Sequence, residues 1–256
     1  MNSSLLPLIF YYEQRIDKER MTKEEYFGDW LKVLPEVEMI DILKKLSPIK
    51  DRICPEFKDI FKAFNKCPYR DLRLVIVGQD PYPQKGIATG IAFANYNNTL
   101  EEDLSPSLQI IKESVINYEV SHNLITFASE LEEWEEQGGL LLNTALTCEI
   151  NKPRSHSLLW RPFICKLIKQ ICSYNSGIVW LLLGNSAQSF ESYINKNQYI
   201  IKAKHPAYYH RNHEIMPYYI WYDINKILVG LNGYGINFYN EEHYEEESNL
   251  LECQDW

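Results

Sequence analysis

The stretch VIVGQDPYPQKG, Val75 to Gly86, decides how this chain is read. Three β-branched residues run into Gly78, and residues of that type favour a strand. An acid, Asp80, then stands between Gln79 and the run Pro81-Tyr82-Pro83. Proline fixes its own φ, so two prolines around one tyrosine make a stiff turn. An acid and an aromatic ring are therefore held rigidly at the end of an apolar strand.

Outward from this stretch, the same rhythm repeats. LRLVIVG, GGLLLN, GIVWLLLG and YIIKAKHP are short apolar runs, each stopped by Gly, Asn or His-Pro. Between them lie helical patterns: SPSLQIIKESVINY, FASELEEWEEQG, RPFICKLIKQICSY and SAQSFESYINK. Strands buried on both faces that alternate with helices predict an α/β fold. Its centre is a mostly parallel four-stranded sheet flanked by helices. Residues 1–70 read instead as a helical, polar-rich N-terminal part, with a Thr22-x-x-Glu25 capping signal in MTKEEYFGDWLKVL. The expected organisation is one domain over 1–240, with an α/β core from 71 to 240, and an acidic tail over 241–256.

Open α/β sheets bind ligands at the carboxyl ends of their strands. That rule selects Gln79, Asp80 and Tyr82 after the first run and Asn143 after the second. It selects Gly184-Asn185 after the third and His205-Pro206 after the fourth. Taken singly, each has a bland explanation: Asp before Pro forms turns, Asn after a strand caps it, His-Pro begins a loop. Polar residues at four consecutive strand ends point to a site.

Composition narrows the class. Charged residues make up 24% of 256 and apolar ones 45%, as in ordinary globular chains. The net charge of -9 argues at first against nucleic acid. Seven of the 35 acids, however, lie between Glu241 and Trp256, where there is no Lys or Arg. The remaining 28 face 26 bases, so the body is near neutral. The tail is either a solvated acidic segment or a competitor for a basic groove. The six cysteines show no CxxC and no zinc-like spacing, and Cys148, Cys165 and Cys172 read as buried thiols. Neither GxGxxG nor GxxxxGK[ST] is present. LLPLIFYY, residues 5–12, is too short for a membrane span and lacks a basic flank. No membrane association is expected, and a reducing, cytoplasmic setting is.

The motifs in order resemble the family 1 uracil-DNA glycosylases. That family's signature Gly-Gln-Asp-Pro-Tyr-His is matched by Gly78-Gln79-Asp80-Pro81-Tyr82, with Pro83 in the last place. Phe93 in GIAFAN, Ser105-Pro106-Ser107-Leu108, LLLNTALT over 140–147, Ser155-His156, Gly184-Asn185 and His205-Pro206-Ala207-Tyr208-Tyr209 follow in register. The similarity runs from about residue 70 to 230.

The resemblance implies a DNA glycosylase that flips a nucleotide into a pocket and hydrolyses its N-glycosidic bond. Asp80 would orient water and stabilise the cationic sugar, with His156 on the same water. His205 would donate to the pyrimidine O2. Asn143 would read the base edge, Phe93 would stack on the ring, and Gln79 would contact the base through its main chain. Tyr82 would exclude a C5 methyl group. Ser107, Gly184, Asn185, Tyr208, Tyr209 and Arg211 would contact DNA, with Lys85, Lys202 and Lys204 as further basic candidates. Phe93 could equally be plain core, and His156 a satisfied structural histidine. The implied partner is DNA, single- or double-stranded, bound by a monomer. No metal or organic cofactor is implied, since water is the only co-substrate.

Three departures bear on the substrate. Pro83 replaces the signature histidine, Asn185 replaces a serine, and Tyr209 stands where the family inserts a leucine into DNA. Uracil is the default substrate. One alternative is a hypermodified cytosine, such as the glucosylated hydroxymethyl form in phage DNA, removed in antiviral defence. The other is a non-catalytic DNA-binding module of the same fold.

Overall fold

Strand pairing follows directly from the four apolar runs. The computed structural model describes residues 22–117 and 124–242. The strands, in chain order, are β1 (Ile53–Cys54), β2 (Leu74–Gly78), β3 (Leu124–Thr126), β4 (Gly139–Asn143), β5 (Cys148–Glu149), β6 (Val179–Leu183), β7 (Tyr199–Ala203) and β8 (Asn240–Glu242). The α-helices are α1 (Lys23–Phe27), α2 (Glu36–Leu46), α3 (Lys62–Lys66), α4 (Pro106–Ile116), α5 (Glu132–Glu136), α6 (Ser157–Tyr174), α7 (Gly184–Gln188), α8 (Pro206–Asn212) and α9 (Tyr219–Asn232).

The central sheet is four-stranded and wholly parallel, in the order β4-β2-β6-β7. Leu74 lies opposite both Gly139 and Val179, and Val179 opposite Tyr199. The chain steps outward from β2 to β4, then returns across β2 to β6 and β7. Winding direction therefore reverses at β2, which is where such folds open a ligand crevice. Every residue of β2, β4 and β6 is buried. β7 departs from the expectation of two buried faces: Tyr199 and Lys202 are exposed, because β7 is the sheet's outer edge.

The helical patterns hold with shifted bounds: α6 starts four residues before RPFICKLIKQICSY, at Ser157, and the others are shorter. FASELEEWEEQG yields only α5, and SAQSFESYINK yields α7 followed by a 3-10 turn over Glu191–Tyr193. The capping box is formed, with Thr22 accepting from the Glu25 N–H and Glu25 accepting from the Thr22 N–H. Cys148 and Cys172 are buried as expected, but Cys165 is only half-buried. Residues 243–256 of the acidic tail, Cys253 and the segment LLPLIFYY lie outside the described residues. Among those described, no helix is long and apolar enough to cross a membrane.

Aromatic packing ties the C-terminal segment to the sheet. The rings of Trp134, Trp221 and Phe238 meet pairwise at centroid distances of 4.9–5.5 Å. Arg73, just before β2, donates to the carbonyls of Gln137, Tyr234 and Gly235. A buried arginine thereby meets three main-chain acceptors, and the start of β2 is anchored.

The open edge of the sheet at β4 is closed by a side chain. The buried Glu135 on α5 accepts the Leu141 N–H at 3.4 Å through Oε1, and the Leu141 carbonyl accepts the Ala92 N–H at 3.2 Å. An exposed edge strand would offer these groups to another chain. Burial holds the Glu135 carboxyl well above the usual carboxylate range, so it is neutral in the folded protein.

The unfolded chain ionises this group near the ordinary value of about 4.3. As pH rises from there towards the folded pKa, the unfolded state gains a charge that the folded state must forgo, and stability falls. Glu135→Gln has no such dependence. Thermal melts should show its melting temperature gaining on the wild type between pH 4.5 and pH 8. A difference that stays constant with pH would mean that Glu135 is not held neutral.

Candidate active site

Three strand ends, those of β2, β4 and β7, converge on one cavity of about 140 Å3, and Gly184 and Asn185 at the end of β6 do not line it, a space small beside the roughly 300–1,000 Å3 of sites that take drug-sized ligands. Gln79, Asp80 and Tyr82 reach it from the end of β2, Asn143 from β4 and His205 from beyond β7. Phe93 and Ser107 complete the set, so seven of the side chains selected from sequence line one space.

Gly78 makes this convergence possible. A Cβ there would lie 2.6 Å from Asn143 Oδ1 and 2.8 Å from Phe93 Cζ. The missing side chain is the room in which the carboxamide and the ring meet. Phe93 has φ of 69°, an uncommon conformation for a non-glycine residue. Its carbonyl accepts the Tyr82 hydroxyl at 2.7 Å, which fixes the tyrosine ring as a wall. Gly184, at φ of 84°, serves a similar purpose at the end of β6, because a Cβ would lie 2.7 Å from that of His205.

Asp80 is held from two sides. Oδ1 accepts from Gln79 Nε2 at 2.8 Å, and Oδ2 accepts the Arg154 main-chain N–H at 2.5 Å. Gln79 Oε1 in turn accepts from Ser186 Oγ at 3.0 Å, which sets the amide orientation. The Gln79 carbonyl accepts from both Thr144 Oγ1, at 2.7 Å, and the Ala145 N–H, at 3.0 Å. The carbonyl is thus spent on the loop after β4, which narrows any main-chain contact of Gln79 with a base to its N–H.

His205 caps α8. Its Nδ1 accepts the Ala207 N–H at 3.1 Å, so in the neutral ring the proton sits on Nε2. Burial pushes its pKa below the ordinary imidazole value, against the pull of Asp80 and reinforced by Arg211. The ring is therefore a neutral donor near pH 7. Its centroid is 5.8 Å from that of Phe93.

His156 does not line the cavity. Thr147 Oγ1 accepts the Trp160 indole N–H at 2.7 Å and is hydrogen-bonded to His156 Nδ1 at 2.9 Å. This closes the loop 147–156, and burial lowers the His156 pKa. The structural explanation accounts for this histidine.

The DNA-facing candidates divide. Tyr209 is only 7% exposed and packs into the core, so it is not the projecting wedge expected at that position. The reason is local: His205-Pro206 starts α8, which packs against α4, and helical spacing turns Tyr209 into the core. Tyr208 remains half-exposed, with Lys204 Nζ 3.7 Å from its ring centroid and its hydroxyl 3.2 Å from Glu214 Oε1. Lys202 and Lys204 are engaged by Glu191 and Glu214. Such exposed pairs contribute about 0–1 kcal/mol and yield readily to another anion. Arg211, Lys85 and Asn185 are exposed, and Gly184 is buried at the end of β6. Among the described residues, no three His, Cys, Asp or Glu side chains group as they would around a metal ion.

Sequence reasoning missed Ser186, Arg154 and Asn95. Asn95 accepts the Ser105 N–H and donates to Ser105 Oγ, both at 2.9 Å, which sets the loop that delivers Ser107. No local pattern marks these three, because each acts across more than nine residues of chain or through its backbone.

The sequence profile of the Uracil DNA glycosylase superfamily matches residues 64–223. A uracil-DNA glycosylase of Buchnera aphidicola is 37% identical over 203 residues, covering 78% of this chain and 84% of the relative. One from Coxiella burnetii is 40% identical over 173 residues, covering 66% and 73%. The crystal structure of mimivirus uracil-DNA glycosylase superposes with a TM-score of 0.63 at 22% identity, over 88% of this chain and 95% of that one. Fold, site and relatives together define the class, that of a DNA glycosylase. The chain belongs to the Uracil DNA glycosylase superfamily.

Adding one methyl group at the base of the cavity tests the packing. Gly78→Ala should cost roughly 1–3 kcal/mol through overpacking. That corresponds to a fall of several degrees in melting temperature for a chain of this size. An unchanged melt would mean that Asn143 and Phe93 move aside freely.

Proposed function

We propose that the protein flips a uracil nucleotide out of DNA and hydrolyses its N-glycosidic bond, leaving an abasic site for repair. The observation that carries this is the Tyr82 ring, fixed by its hydroxyl 2.7 Å from the Phe93 carbonyl, in the wall of the cavity that also holds Asp80, Asn143 and His205. Relatives bearing the name uracil-DNA glycosylase favour the same substrate.

The chemistry follows from charge. As the bond between C1′ and the base breaks, its electron pair goes to the base and the sugar becomes cationic. Negative charge collects on the pyrimidine oxygens, where the neutral His205 donates through Nε2–H. A preorganised donor of this kind contributes roughly 3–4 kcal/mol to the transition state. Asp80 lies beside the sugar as an anion that stabilises the cation and takes the proton of the attacking water. Asn143 pairs with N3–H and O4 of uracil, and Phe93 stacks on the ring. His156 acts at one remove, closing the loop that brings the Arg154 N–H to Asp80. Ser107, Asn185, Tyr208 and Arg211 contact the DNA backbone from the rim, and the enzyme works as a monomer in the cytoplasm.

The hypermodified-cytosine alternative has lost its support. It rested on the departures at Pro83, Asn185 and Tyr209, but the Pro83 carbonyl accepts the Asn151 N–H at 2.8 Å, Tyr82 is anchored beside it, and Tyr209 is buried. Membership of the superfamily, with Asp80 and His205 sharing one cavity, sets aside the non-catalytic alternative.

The test uses matched oligonucleotides carrying uracil, thymine, cytosine or glucosylated hydroxymethylcytosine, with alkaline cleavage of abasic sites. Scission is expected at uracil alone. Asp80→Asn should abolish product, and His205→Ala should slow single-turnover excision about a hundredfold or more. Scission confined to another base, or to none, overturns the proposal.

A further inference from the structure

Arg154 stands apart from the other cations near the cavity. Its φ is 64°, a left-handed conformation that strains a non-glycine residue. The conformation has a visible use, since it aims the Arg154 N–H at Asp80 Oδ2. The preceding residue, Pro153, lines the cavity. The Arg154 side chain itself is exposed and has no acid partner among the described residues. Its neighbour Lys152, by contrast, is bound to Glu149 at 2.8 Å. The loop thus presents one unpaired guanidinium at the mouth, on the residue whose backbone touches the catalytic acid.

The position of a substrate constrains what that guanidinium meets. Asp80 can act only if the target sugar lies beside it, and that sugar carries a phosphate on each side. A residue hydrogen-bonded to Asp80 through its main chain is then within one side chain's length of a phosphate. Guanidinium matches phosphate geometry with paired donors.

We infer that Arg154 is a DNA-backbone contact, its guanidinium on a phosphate of the flipped nucleotide while its N–H holds Asp80. This rests on the proposed glycosylase reading. The grip on the strand and the orientation of the carboxylate are then two ends of one residue.

Ionic strength tests it. One phosphate contact adds about 0.9 to the slope of log affinity against log salt on duplex DNA. Two slopes are to be measured against sodium chloride: kcat/KM on a uracil-containing duplex, and Kd for a uracil-free duplex of the same length by fluorescence anisotropy. Arg154→Ala and Arg154→Gly should each flatten both slopes by about 0.9, with the loss falling in KM rather than kcat. Arg154→Lys should keep most of the wild-type slope. Glycine accepts the left-handed backbone without strain, so agreement between the Ala and Gly variants separates charge from turn geometry. Lys196→Ala serves as the control, since Lys196 is exposed in the turn before β7, at the far end of the sheet.

Unchanged slopes in both Arg154→Ala and Arg154→Gly would overturn the inference, whatever happens to the rates. If the wild type excises nothing but the binding slope still flattens, the glycosylase reading fails and the Arg154 contact stands. If excision occurs with unchanged slopes, the reverse holds.

Discussion

The two hydrogen bonds to Asp80 are the constraint around which the rest of the site is arranged. A carboxylate at a strand end would otherwise swing with solvent. Here Gln79 grips one oxygen and the Arg154 N–H the other. Each grip has its own support. Ser186 orients Gln79, Thr144 and Ala145 fix the Gln79 backbone, and the Thr147–His156 bond closes the loop that carries Arg154. The stiffness of Pro81-Tyr82-Pro83 belongs to the same device. It keeps the turn from relaxing while the Tyr82 hydroxyl is spent on Phe93 rather than on a ligand.

Electrostatics in the cavity divide labour between two neighbours of opposite character. Asp80 is half-exposed and donors surround it. At His205, burial favours the neutral form. A backbone N–H decides its tautomer, so one nitrogen always presents a proton to the cavity. A cationic sugar and an anionic base need these two partners, and the parallel sheet brings them to one cavity from the ends of β2 and β7. The overall negative charge of the chain does not oppose this, because surface ion pairs such as Lys204–Glu214 are weak and open to exchange.

Much of this was legible from Leu72 onwards. Apolar runs stopped by Gly or Asn marked β2, β4 and β6, and the rule of carboxyl strand ends picked out Asp80, Asn143 and His205 before any geometry was known. β7 was legible as a strand but not as an edge, since YIIKA is apolar enough to be either. Tyr209 misled for a related reason. A motif aligned by order alone does not reveal that α8 begins at Pro206, and one helical turn decides whether a ring faces DNA or core.

Local sequence determined the strands, the stiff turn and the identity of the reacting groups, because β-branching, proline and side-chain chemistry act within a few residues. Tertiary structure alone decided what those groups can do. The 79–186 and 80–154 bonds, the space that Gly78 leaves for Asn143 and Phe93, and the inward turn of Tyr209 all join residues distant in the chain. Such contacts exist only after the sheet has brought its strand ends together, so no pattern along the chain encodes them.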